Sequence, residues 1–349
     1  MTSKIERSGM ADERATNERP VTAVAPTFLS LDTVSGPAQV PLYASRPWDE
    51  GAPTLRRAVV MLHGRLRNAD AYFEMAEKAL AVFTAQQTDR EGMQDAVLLL
   101  APQFLADADV QTHGLDARTL HWEWTGWMGG DEARGPIALS AFAVLDAIIE
   151  KLADRTLFPA LTDVVVAGHS GGAQVVHRYA VLGRGEAALA AHGIATRYVV
   201  ANPSSYAYFD SLRPDEAGGF APFDRARCPD FNAWKYGLEA LPAYAKTDGV
   251  LPNAAVLEAA YARRDVVLLL GQEDNDPAHP ALDRSAAAQA QGPHRLARGR
   301  AFTRYMQLRH ADSATQATFE IPNAAHDADA VFCSPQGLAA LFGTRNPHR

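Results

Sequence analysis

With 349 residues, 47% hydrophobic and 21% charged, the chain is long and apolar enough for a folded core, which excludes wholesale disorder and fibrous architectures. Lys and Arg number 33 against 41 Asp and Glu, a formal charge of −8 with no basic block, so nucleic acid is not an expected partner. The longest apolar runs are strand-length, short of the roughly 20 residues of a membrane span, and the polar start Met1–Arg7 lacks a secretory leader's apolar stretch, so a cytoplasmic location is expected.

Residues 1–25 mix charged and hydroxyl side chains without periodicity and read as a flexible tail; 26–349 read as one domain. Thr27–Leu31 and Gln39–Tyr43 suggest an antiparallel pair, with Pro41 confining the second strand to a sheet edge. Arg57–Leu62 reads as a buried strand ending at His63-Gly64, and Asp70–Phe83 as a helix. Asp95–Ala101 is a second buried strand, closed by Pro102. A helix follows over Ile137–Leu152, then a strand over Asp163–Ala167, and a helical pattern resumes at Ala173. Arg197–Ala201 and Asp265–Leu270 are further strands, and Ala317–Ile321 precedes a closing helix. Apolar runs without alternation, separated by helices, predict a doubly wound, mostly parallel α/β sheet covered on both faces.

Two segments interrupt that alternation, 103–136 and 204–262, and long insertions of this kind are expected to form a cap or lid. The first holds Trp122, Trp124 and Trp127. The second is rich in aromatics, among them Tyr206, Tyr208, Phe231 and Trp234. Trp124, Trp127, Tyr206 and Trp234 are candidate lining for an apolar substrate pocket, and the same rings could equally stabilise the insertions from within. Cys228 and Cys333 are too few for a disulfide framework and are expected to be unpaired, buried thiols.

The strongest chemical signal is Gly168-His169-Ser170-Gly171-Gly172, a G-x-S-x-G match between an apolar strand and a helix. A strand–turn–helix of this kind strains the serine backbone and needs small residues at 168 and 172, while the helix N-terminus favours developing negative charge. An ordinary glycine-rich βα turn is the bland alternative. With this motif in that context, residues 27–343 resemble an α/β-hydrolase-fold serine hydrolase.

The resemblance implies a triad in the order serine, acid, histidine, each at or after the carboxyl end of a strand. It makes Ser170 the nucleophile. In Gly271-Gln272-Glu273-Asp274-Asn275-Asp276 it picks Asp274 as the acid, with Asp276 in reserve and Glu273 behind it. Of the later histidines, His326 follows the last strand and is the implied base. His279 lies too near the acid, His294 and His310 flank a helix, and His348 is terminal. The implied oxyanion hole is the backbone N–H of Gly171 with that of Arg65, or of Leu66 if the loop turns one residue later. His63 is expected to brace that loop, and Arg65 and Arg67 either to brace it or to hold a substrate carboxylate. The expected function is cleavage of a small-molecule carboxylic ester through an acyl-enzyme, with no cofactor and no metal. Amide cleavage by the same triad and a non-catalytic binding module are the alternatives. No phosphate-cradling loop or zinc spacing is present.

Overall fold

The computed structural model describes residues 18–87, 92, 94–311 and 315–344. Its main sheet comprises, among the described residues, β1 (Thr27–Thr33), β2 (Gly36–Ala44), β3 (Arg57–Leu62), β4 (Val97–Pro102), β5 (Asp163–His169), β6 (Ala195–Ala201), β7 (Asp265–Gly271) and β8 (Ala317–Ile321). The spatial order is β1-β2-β4-β3-β5-β6-β7-β8, with β2 antiparallel to both neighbours and the remaining pairs parallel. The principal helices are α1 (Ala69–Ala85), α2 (Ala141–Leu152), α3 (Gly171–Leu182), α4 (Ala254–Arg263), α5 (Arg295–Arg309) and α6 (Pro335–Phe342).

The unbroken apolar runs have a direct cause. Along β3, Ala58, Val60 and Leu62 pack into one cluster with Phe142, Leu145 and Val176 of α2 and α3; Val59 and Met61 pack into another with Met75, Ala79 and Leu341 of α1 and α6. The central parallel strands divide the same way, Val164 and Val166 from Val165 and Ala167 in β5, so both faces of the sheet are dry. Ser140, Asn253 and Ser334 cap α2, α4 and α6 through their side chains.

Three expectations are corrected here. β2 is not an edge strand; β1 is. The register of β2 with β4 runs from Leu42 to Ala44, and Pro41 stands at its end, where its carbonyl still accepts from Gln103 N at 2.8 Å and its missing N–H costs no pair within the ladder. Residues 18–25 are no loose tail, because Val21 and Ala25 are buried and their backbones are held by Asp109 and Gln103; residues 1–17 lie outside the described ones. The aromatics of the insertions turn inward. Trp127 stacks on Phe104 with ring centroids 5.5 Å apart, and Tyr206 on Phe302 at 4.7 Å, because rings of that size gain most from complete burial. Cys228 and Cys333 are unpaired, as expected, but half-buried. No helix of the described residues is long and apolar enough to cross a membrane.

Candidate active site

β5 runs without interruption through Gly168 to His169, and Ser170 occupies the cap position of α3 with φ 56° and ψ −117°. A non-glycine residue in that region is strained and persists only where its surroundings dictate it. They do so here. Ser170 N donates to Ala201 O of β6 at 3.0 Å, and α3 sits directly on β3. A Cβ at Gly168 would lie 2.5 Å from the Gly172 carbonyl carbon, and one at Gly172 would lie 2.2 Å from Leu62 O. Only glycine permits this approach at either position. The Ser170 hydroxyl does not cap its own helix. It reaches sideways to His326.

His326 enters from the loop after β8, its Nε2 2.9 Å from Ser170 Oγ and its Nδ1 2.7 Å from Asp274 Oδ2. With the carboxylate as acceptor, Nδ1–H donates to Asp274 and Nε2 is free to accept from the hydroxyl. Asp274 follows β7 and is buried; its Oδ1 accepts from Arg295 Nη1 at 3.1 Å. Burial raises its carboxyl, yet the hydrogen bond from His326 and the charge of Arg295 bring it below its ordinary value. For His326 burial is the largest influence and lowers it. Asp274 opposes this, Arg295 and His279 add to it, and the imidazole ends below its ordinary value.

The expected residues thus divide clearly. Ser170, His326 and Asp274 form one hydrogen-bonded line, whereas Asp276 caps Ala278 N on the surface and Glu273 is exposed. His294 caps α5, His310 bonds Glu258, and His348 lies outside the described residues. A Cβ at Gly171 would lie 2.9 Å from Arg65 N, so the backbones of the two implied oxyanion donors face each other beside the serine. Gly171 opens α3, where a helix has no internal acceptor for its N–H.

The loop after β3 is locked from beneath. His63 Nδ1–H donates to Gly64 O at 2.8 Å and Nε2 accepts from Phe104 N at 2.9 Å, and burial pushes the ring down to about 4, so it stays neutral. Arg67, at φ 60°, forms a two-pronged bond with Asp109 at 2.6 and 3.1 Å and is 1% exposed. It braces the loop and is not placed to meet a substrate. Arg65 lines the cleft.

That cleft, of about 970 Å3, opens above the carboxyl ends of the strands between Arg65, Leu66, Tyr72, His169, His279, Pro280 and Asp327. Trp124, Trp127, Tyr206 and Trp234 do not line it, nor does any other residue of 103–136 or 204–262. Trp127 and Tyr206 are fully buried, Trp234 Nε1 is spent on Gly129 O at 2.6 Å, and the half-buried Trp124 offers its carbonyl to Trp127 Nε1. The pocket expected from these rings is therefore replaced by an open, mixed-polarity groove without a lid from either insertion. A second cavity, of about 680 Å3, lies at the opposite ends of β6, β7 and β8.

Arg295 and Asn202, which the sequence did not single out, complete the site. Arg295 holds the acid. Asn202, at φ 49°, accepts from Gly271 N at 2.8 Å and donates to Ala325 O at 3.2 Å, tying together the loops that carry the acid and the histidine. His279 and His169 place their rings 5.1 and 4.5 Å from that of His326. An Asn after an apolar strand, able to take a left-handed conformation, was a legible signal; Arg295 had none. Among the described residues no cluster of His, Cys, Asp or Glu is disposed to hold a metal ion.

No family model and no curated protein matches the sequence. Solved structures do. The chain is 22% identical to a poly(aspartic acid) hydrolase from Sphingomonas sp. KT-1, covering 91% of this chain and 100% of that one with a TM-score of 0.57. It is 19% identical to a poly(3-hydroxybutyrate) depolymerase from Bordetella parapertussis, covering 93% and 92% with a TM-score of 0.59. At these identities the likeness is one of fold, the α/β-hydrolase fold.

Proposed function

We propose that this chain, built on the α/β-hydrolase fold, is a serine hydrolase that cleaves carboxylic esters through an acyl-enzyme. The observation that carries the reading is the line Ser170–His326–Asp274, with both hydrogen bonds formed at 2.9 and 2.7 Å. Ser170 Oγ attacks the ester carbonyl while His326 Nε2 takes its proton, and Asp274 holds the ring and stabilises the imidazolium. The carbonyl oxygen, now an anion, accepts from the Gly171 and Arg65 N–H groups. Collapse expels the alcohol, protonated by Nε2–H. A water activated by the same nitrogen then releases the acid and restores Ser170.

A groove over which no residue of either insertion closes supports substrates with an extended or bulky body. The depolymerase and the poly(aspartic acid) hydrolase of like fold are named for polymers, which accords with an open groove. Ester cleavage is favoured over amide cleavage here on chemical grounds, the alcohol being the easier leaving group. A fluorophosphonate probe should label Ser170, located by peptide mass spectrometry. Ser170→Ala should lower kcat on an activated ester by on the order of 10⁴–10⁶ without unfolding. An unlabelled, well-folded protein, or a Ser170→Ala variant of normal turnover, would end the proposal, and a matched anilide turned over as fast as its ester would move it to amide cleavage.

A further inference from the structure

We propose that Arg295 is a positioning residue of the catalytic centre, clamping Asp274 so that one carboxylate oxygen stays aimed at His326; this rests on the serine-hydrolase reading above. Arg295 stands in the first turn of α5, and its side chain is 1% exposed against 2% for that of Asp274. Nη1 donates to Asp274 Oδ1 at 3.1 Å, Nε to Ser204 Oγ at 3.0 Å, and Nη2 to Ala281 O. One rigid fork therefore joins the acid, the loop after β6, and the loop that carries His279. The main chain assists, Leu296 N donating to Asp274 O at 3.1 Å.

The physical case has two parts. A carboxylate bonded through one oxygen can swing about its own axis; with Oδ1 on Arg295 and Oδ2 on His326 it cannot. A buried ion pair is a poor stabiliser compared with apolar packing of the same volume. Its presence against the acid of the triad points to orientation and charge, not to stability.

The same positive charge, lying behind Asp274, opposes protonation of His326. The groups facing that imidazole are Asp274 and His279 from the loop after β7, Arg295 from α5, and His169 from the elbow, while the neighbouring Asp327 turns its carboxylate to Ala330 N. Of these, Arg295 is the permanent cation, and its charge acts against the protonated ring.

The test compares kcat and KM across pH for the wild type, Arg295→Met, Arg295→Lys and Ser204→Ala on one activated ester, with fluorophosphonate titration counting competent molecules and thermal melts checking folding. Arg295→Met should lose roughly 10–100-fold in kcat with KM within about twofold. The acid limb of its kcat/KM profile should move up by about one pH unit, from removal of one charge that stands across the Asp274 carboxylate from the base. Arg295→Lys should return the acid limb towards its wild-type place without recovering full kcat, because an ammonium cannot hold acceptors in a planar fork. A folded Arg295→Met variant with unchanged kcat and acid limb overturns the proposal. If that variant does not fold, wild-type kcat in both Arg295→Lys and Ser204→Ala overturns it, and a loss in Arg295→Lys at constant KM sustains it. Ser170→Ala, run alongside, separates the two readings. Retained turnover there removes the triad and this proposal with it, whereas lost turnover beside wild-type-like Arg295 variants removes this proposal alone.

Discussion

Gly172→Ala is the most demanding perturbation of the elbow, because the added methyl meets only backbone. Its Cβ would stand 2.2 Å from Leu62 O and 2.7 Å from His63 O, and no side chain can rotate out of the way. To restore an ordinary contact, α3 must withdraw from β3 by about an ångström, an overpacking that costs about 1–3 kcal/mol. For a chain of this size that is a fall in Tm of roughly 2–4 °C. The larger effect falls on turnover. Gly171 and Arg65 face each other across this same contact. A shift of about 1 Å between groups that the proposed mechanism needs to converge on one oxygen can cost on the order of 10²-fold in rate. Gly129→Ala is the control, since its Cβ would meet Trp234 Nε1 at 3.5 Å, an ordinary contact. Calorimetry and kcat/KM on an activated ester measure both effects. Should Gly172→Ala match Gly129→Ala in melting temperature and turnover, the steric argument for the elbow is wrong.

Asp274→Asn should lower kcat by about 10⁴ through loss of the correct histidine tautomer, while Asp276→Asn, whose amide oxygen can keep the surface bond from Ala278 N, should stay within about twofold; equal losses would contradict the choice of acid. In the proposed mechanism the active form of His326 is neutral, and its folded value lies below the ordinary 6.5, so kcat/KM should hold its plateau above that pH and fall as pH drops through the lowered value; a half-maximal point above pH 7 would contradict the environment described. Arg67→Met leaves the Asp109 carboxylate buried without its cation and should cost about 3–5 kcal/mol, read from the urea midpoint; a loss under about 1 kcal/mol would mean that the pair does not hold the loop.

What could be read from the sequence follows from which physics is local. Val59, Val165 and Val199 sit in runs that are apolar on both faces, and a run of that kind has few uses other than a covered parallel strand. Ser170 stood out because an elbow needs small residues at fixed offsets, and Asp274 and His326 were proposed from the chain order that the resemblance implies for a triad. The aromatics misled, since ring content alone does not say whether Tyr206 meets Phe302 or a substrate. Pro41 misled because a missing N–H is tolerated at the end of a ladder as well as on an open edge. Arg295 with Asp274, and Arg67 with Asp109, carry no periodicity, for each pair is joined by the fold and not by spacing.

The bracing of the β3 loop reaches further than its own residues. Arg67 Nη2 donates to Arg19 O and Asp109 accepts from Val21 N, while Gln103 bonds Ala23 O, Ala25 N and the Arg67 carbonyl together. The stretch just ahead of the first strand is thus a girder for the loop that presents Arg65. Trimming the protein back to Thr27, the economical choice for anyone shortening it, would spare every strand and still unmoor the rim of the groove.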